Sequence, residues 1–402
     1  MRLLSPCIPV VLWLFGAGCS SSSDNASWRA ALPPVVRPEV QTSAMTETPR
    51  RWTWHKRASL PAPYRQVGDL VSTPKGLVIA ASVDALTLDG AAIFRLEPDG
   101  SLEELFEWEG QGFLRIAALG DRLLVPDADP PFHLLGYAFS WDVEGYVFVS
   151  DAEGKFDADW REVLPASYHV FDVARLAGGM LVASTGAYPE GETAYVSEHA
   201  PAALFGDAGP DKPWRRLLEY PARNATGVSR FTWLLPLSDG ALLAGIQTSR
   251  ADMPRAVRIE GLPDTPRVTE STGLPDEPMR WFAWRDRIFA LTSSERGRGP
   301  TGRFPRTVLH VSRDGGRSFS PVPGAPQSPL ALATLGEALY LLDGGVLHRH
   351  IEGERFDPVS EPLLALVGRP TLLVNHSLVV HAGSLWSANP LTGEIFEAVP
   401  EP

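Results

Sequence analysis

Few stretches of this sequence bring reactive side chains together, and each has a plain structural alternative. Asp127 and Asp129 stand two apart between Pro126 and Pro130. Two carboxylates at that spacing could hold a hard cation at a loop mouth, or could be solvated turn residues. Just beyond them come Phe132, His133, Tyr137, Phe139 and Trp141, and a later loop carries Tyr188. Such rings can stack on a sugar or a peptide, or pack under their own loop. Arg296, Arg298 and Arg303 form a third group, whose guanidinium forks suit a carboxylate or an anionic glycan and equally suit a solvated loop. His348 and His350 lie two apart, hence on one face of a strand. Two imidazoles make an incomplete zinc site, and no third ligand accompanies them. No nucleophile elbow, Cys–His pair, phosphate loop or metalloprotease signature occurs. No catalytic residue, metal or cofactor is therefore assigned.

These groups sit in loops, so the elements that hold them matter more than the groups themselves. One pattern recurs about every 50 residues: a half-apolar strand, a tight polar turn, then a strongly apolar strand. The apolar strands open at Leu77, Leu123, Met180, Ala241, Ile288, Leu339 and Leu378. The turns ahead of them carry Gly, Asp or Asn, which tolerate the positive φ of tight hairpins. A third strand, a second hairpin and a fourth strand follow. These later hairpins include Pro98-Asp99-Gly100, Asp314-Gly315-Gly316 and Thr392-Gly393. Four short strands per unit describe a propeller blade.

The expected fold is all-β, a β-propeller of seven four-stranded blades over residues 51–402. Trp52-Thr53-Trp54 reads as one more fourth strand, which would close the ring on the last blade. Glu394-Ile395-Phe396-Glu397 claims the same place, so six or eight blades stay open, with a pair of β-sandwiches as the other fold. Long connections between second and third strands fall in blades two, three and five, and almost none in six and seven. Any site is therefore expected over blades two to five, with Asp127, Asp129, Tyr137, Trp141, Tyr188, Arg296, Arg298 and Arg303 as its ligand-facing residues.

Composition narrows the partners. The chain has 402 residues, 36 Lys and Arg against 48 Asp and Glu, and a formal net charge of −12. That acidity argues against nucleic acid, whose phosphates need a basic face. Apolar residues make up 44%, enough for a packed core, and 36 Gly with 37 Pro supply many turns.

Ser312-Arg313-Asp314-Gly315-Gly316-Arg317-Ser318-Phe319 resembles the Asp-box, or bacterial neuraminidase repeat, in which Ser312, Asp314, Gly316, Ser318 and Phe319 fill the motif positions. The Ser and Asp side chains can bond backbone donors in the turn, and the aromatic ring can pack back between strands. Ser150-Asp151-Ala152-Glu153-Gly154-Lys155-Phe156 is a weaker echo. The resemblance implies a sialidase-like propeller, with the box as a structural clip away from any active site. That family binds its substrate's carboxylate with three Arg, uses a Tyr–Glu pair and an Asp, and often carries a Phe/Tyr-Arg-Ile-Pro motif. Tyr64-Arg65-Gln66-Val67 and Leu114-Arg115-Ile116-Ala117 come nearest, and neither matches.

The N-terminus reads as an address. Arg2 precedes an apolar run, Leu3 to Gly18, too short to span a bilayer and suited to a secretory signal. It ends Gly16-Ala17-Gly18-Cys19 and is followed by four Ser. This resembles the lipobox of bacterial lipoproteins, although Gly16 stands where that family usually has Leu. The resemblance implies a signal peptide over 1–18, acylation of Cys19 and anchoring in a membrane. Ser20, rather than Asp, after the cysteine favours the outer membrane. The only other cysteine, Cys7, lies in the signal. A mature chain without disulfides must rely on its core. Residues 19–50 are then the lipidated cysteine and a disordered tether, Ser- and Pro-containing without periodicity. The expectation is a monomeric, lipid-anchored envelope module that binds a glycan or protein ligand. A sialidase-like glycan-processing enzyme and a scaffold of an outer-membrane assembly are the alternatives.

Overall fold

The computed structural model describes residues 51–84, 90–128, 144–187, 199–207, 213–221, 227–248, 250–293, 307–351, 354–366 and 377–401. The signal, Cys19 and the expected tether lie outside these. After β1 (Trp52–Ser59), blade one runs through β2 (Gln66–Thr73), β3 (Gly76–Ser82), β4 (Ala91–Leu96) and β5 (Leu102–Trp108). Blade two is β6 (Ala117–Leu119), β7 (Arg122–Pro126), β8 (Glu144–Ser150) and β9 (Phe156–Pro165). Blade three is β10 (Ser167–Arg175), β11 (Leu181–Ala187), β13 (Ala202–Asp207) and β14 (Trp214–Tyr220); between its second and third strands lies the short β12 (His199–Ala200). Blade four is β15 (Gly227–Pro236), β16 (Leu242–Thr248), β17 (Ala256–Glu260) and β18 (Arg267–Glu270), with β12 added in parallel to the start of β15. Blade five is β19 (Pro278–Trp284), β20 (Arg287–Ser293), β21 (Thr307–Ser312) and β22 (Ser320–Pro321). Blade six is β23 (Pro329–Leu335), β24 (Ala338–Asp343), β25 (Val346–Ile351) and β26 (Arg355–Pro358). Blade seven is β27 (Leu378–His381), β28 (Ser384–Ala388) and β29 (Glu394–Pro400), completed by β1.

The protein is thus a seven-bladed β-propeller. Six and eight blades fall, and so does the sandwich pair. The seam explains why the count was ambiguous. β1 pairs antiparallel with β29 from Trp52↔Pro400 to Ser59↔Glu394, so the N-terminal strand is the outermost of the last blade. The C-terminal strand is the third, not the fourth. It follows that Leu378 opens an innermost strand, not a second one. Ala382-Gly383 is then a first-to-second hairpin, and Thr392-Gly393 belongs to the second-to-third connection.

The apolar second strands are apolar on both faces because each is sandwiched between neighbouring blades. On β3, Leu77, Ile79 and Ala81 pack toward Trp386 and Ile395 of blade seven, while Val78 and Ala80 pack toward Leu123 and Phe148 of blade two. At the seam Trp52 is 1% exposed and meets Tyr340 of blade six edge-on, ring centroids 5.5 Å apart. Its amide also donates to the Val359 carbonyl at 2.7 Å.

Candidate binding site in the central channel

Strand direction fixes which ends of the ring share a face. First strands begin where second-to-third connections and blade-to-blade connections lie. Near those beginnings, the inner strands of blades one, three, four, five and six each carry a register shift: Val67/Asp69, Tyr168/Asp172, Phe231/Leu234, Pro278/Arg280 and Pro329/Ala331. A bulge bends a strand and re-aims the side chain beside it. Here the residues that follow the shift include three charged ones, Asp69, Asp172 and Arg280. Gly68 is the extra residue on β2. A Cβ there would lie 2.1 Å from the Phe113 carbonyl oxygen, so glycine alone lets the start of blade two approach this closely.

That approach delivers Arg115 and the Ile116 amide to Asp69. The Asp69 carboxylate accepts from Ile116 N at 3.1 Å, Ser377 Oγ at 3.0 Å and Arg280 Nη2 at 3.0 Å, with Arg115 Nη1 at 3.5 Å. Asp172 accepts from its neighbour Val173 N and from Leu234 N, both at 2.9 Å, with Arg115 Nε at 3.5 Å. Both guanidiniums lie over the Trp233 ring, Arg115 at 5.9 Å and Arg280 at 5.7 Å from its centroid. One chain of contacts thus runs Asp172–Arg115–Asp69–Arg280–Ser377 over Trp233, and ties six blades together across the axis.

The carboxylates are buried, each 3% exposed. Burial pushes both carboxyls up from their ordinary value, and Arg115 with the backbone amides pulls against it. Burial also opposes the Arg115 charge, but Asp172 and Asp69 outweigh it and hold the guanidinium charged. Beside the cluster lies a cavity of about 200 Å³. Arg115, Arg280, Asp69 and Ser377 give it a polar wall, and Phe282, Leu332 and other apolar residues of blades five to seven and of β2 form the rest.

Of the residues expected to face a ligand, Asp127 alone falls among those described. It is buried, 1% exposed, and its Oδ2 accepts from Trp108 Nε1 at 2.9 Å. It is therefore no solvated turn residue: it pins the last strand of blade one to the end of β7. Asp129, Tyr137, Trp141, Tyr188, Arg296, Arg298 and Arg303 lie outside the described residues. The strands that lead into their connections, β7, β11 and β20, end on the face toward which the Asp69 cluster sits. Among the described residues no group of three or more His, Cys, Asp or Glu could hold a metal. His350 packs edge-on against Trp284 and Phe356, with ring centroids 4.9 and 5.3 Å away. Burial lowers the pKa of His348 and of His350, which fits neutral packing residues.

On the opposite end, the 312–319 hairpin is clipped from inside. Gly316 N donates to Ser312 Oγ at 2.9 Å, and Ser312 Oγ donates to Asp314 Oδ1 at 2.7 Å. Arg317 N and Ser318 N both donate to Asp314 Oδ1 at 3.0 Å. Partial burial opposes the Asp314 charge, but the bonds from Ser318, Ser312 and Arg317 outweigh it and bring the carboxyl down to about 2. Gly316 has φ +87°, and a Cβ there would strike the Leu243 side chain at 2.6 Å. Phe319 is buried and packs against Trp281 at 5.6 Å. In the 150–156 hairpin, Asp151 Oδ1 likewise accepts from Glu153 N and Lys155 N, at 2.9 and 2.8 Å.

The channel cluster was not anticipated as a site. Its signal is single charges inside apolar runs, in inner strands for Gly68-Asp69-Leu70, Phe171-Asp172-Val173 and Met279-Arg280-Trp281 and just ahead of one for Leu114-Arg115-Ile116. In the sequence alone, Leu114-Arg115-Ile116-Ala117 reads only as a poor match to the Phe/Tyr-Arg-Ile-Pro motif.

No family model and no curated protein matches the chain. Among solved structures it is similar to virginiamycin B lyase from Staphylococcus aureus, at 11% identity and TM-score 0.53, covering 87% of this chain and 99% of that one. It is also similar to the WD40 domain of Neurospora crassa Pan2, at 10% identity and TM-score 0.54, covering 88% and 98%. A Trypanosoma rangeli sialidase aligns at 14% identity and TM-score 0.42, covering 75% of this chain and 56% of that one. At such identities the likeness is one of fold.

Proposed function

We propose that this chain is a lipid-anchored cell-envelope module that binds a glycan or protein ligand through the face where its inner strands begin. The observation that carries the reading is the closed state of the channel charges. Asp69 and Asp172 accept from backbone amides, a hydroxyl or guanidiniums at every oxygen. A carboxylate so engaged is poorly placed to take or give a proton. The anchor rests on Cys19 and its flanking residues, and the outer membrane rests on Ser20. Both are tested by metabolic labelling with an alkyne fatty acid and by fractionation. Cys19→Ser is expected to lose the label and leave the membrane fraction.

A second reading, glycan-processing catalysis, is favoured by one observation: two carboxylates and two arginines do converge in the channel. The scaffold reading has weaker support. The large apolar side chains exposed among the described residues are Trp160 and Val163 on β9 and Leu364 in the connection after blade six, which is no broad patch. A glycan array probed with the full chain, with turnover of a fluorogenic sialoside read in parallel, separates the readings. Binding without turnover is expected. Turnover abolished by Asp69→Asn or Asp172→Asn would make the chain an enzyme.

A further inference from the structure

Resting on the binding-module reading, we propose that the channel cavity takes a small uncharged hydrogen-bond acceptor: an amide or ester carbonyl on a short aliphatic group. The cavity's polar wall decides the acceptor. Asp69 is saturated, as described, and Ser377 Oγ is spent between Asp69 and Arg280 Nη2, which it meets at 3.2 Å. Among the described residues Arg280 Nη1 and Arg115 Nη2 make no hydrogen bond, and both side chains line the cavity. The wall therefore offers unpaired donors to a ligand oxygen.

Charge decides that the acceptor is neutral. Two carboxylates and two guanidiniums already cancel. An anion entering the cavity would leave one net negative charge beside two buried carboxylates, which is costly. A carbonyl oxygen accepts from guanidinium N–H groups without that cost. The apolar part of the lining, with Phe282, Leu332, Leu378 and Val379, would meet the rest of the molecule. Those side chains accept a branched or short aliphatic group and offer it no polar partner. A free sugar, with hydroxyls on all sides, would leave donors unpaired there.

The test uses the full chain and two isosteric probes, isobutyramide and isobutyrate, read by saturation-transfer NMR. Isobutyramide is expected to bind saturably, and at least threefold more tightly than isobutyrate. Arg280→Met should weaken it at least fivefold. Because that variant leaves Asp69 short of a partner and can lose its fold, Ala331→Leu serves as the second. It fills the cavity from blade six, leaves every charge in place, and should also weaken isobutyramide at least fivefold. Tighter binding of isobutyrate would overturn the proposal in favour of an anion site. So would the absence of binding by either probe, or binding indifferent to Ala331→Leu. If the probes fail while the chain still captures a glycan or protein, the cavity proposal falls and the module reading stands.

Discussion

Two regions of this ring use the same charged residue types to opposite effect. At the seam, Lys56 reaches Glu394 at 2.7 Å and Arg57 reaches Glu397 at 2.6 Å, both cations about half exposed. In the channel, Arg115 and Arg280 join Asp69 and Asp172 with the carboxylates almost fully buried. Solvent screens the seam pairs, so the closure there rests on the β1–β29 ladder and on buried Trp52. In the channel the carboxylates are buried, so each depends on its partners to stay charged. Charge at the seam decorates a joint that apolar packing makes. Charge in the channel is the joint.

The largest expected effect breaks the channel. Arg115→Met leaves Asp69 and Asp172 both short of a cation, and should cost about 3–5 kcal/mol in denaturant unfolding. Adding Asp172→Asn should recover part of that loss, since the amide oxygen still accepts from Leu234 N. If Arg115→Met is neutral, the cluster is no joint. Next comes the apolar half of the seam. Trp52→Leu should cost about 2–3 kcal/mol by transfer and cavity effects together, seen as a lowered denaturation midpoint.

A smaller effect is carried by the 312–319 hairpin, which belongs to neither region. Asp314 has its folded pKa, about 2, below its ordinary value of 3.8. Its contribution is therefore full above about pH 4 and is lost as pH falls toward 2. Asp314 is exposed, so the contribution is held to about 1 kcal/mol. Asp314→Asn should flatten that part of the stability–pH curve. The smallest effect is Lys56→Ala at the seam, below about 1 kcal/mol and shrinking with salt. A loss there as large as that of Trp52→Leu would erase the contrast.

The blades were legible because each second strand is apolar on both faces and each turn carries its glycine or aspartate. The last blade was misread by one strand for a physical reason. Its outermost strand comes from the other end of the chain, so Leu378 could only be placed by counting strands backward from β1. Asp127 was misread because Trp108, its partner, lies in the preceding blade. The channel cluster was hidden for a related reason. Asp69, Arg115, Asp172 and Arg280 are far apart in sequence; bulges in the inner strands re-aim Asp69, Asp172 and Arg280, and the close approach at Gly68 brings in Arg115. The loops that drew attention first, around Tyr137, Trp141 and Arg298, are rich in recognition chemistry but lie outside the described residues.

The most direct measurement is recovery of the bound ligand. The full chain is incubated with a glycan captured on the array, and the glycan is then released and weighed by mass spectrometry. The expected result is an unchanged mass after long incubation, with binding retained in Asp172→Asn. A shifted mass that returns to the starting value in Asp69→Asn or Asp172→Asn would contradict the binding-module reading and make the channel carboxylates catalytic.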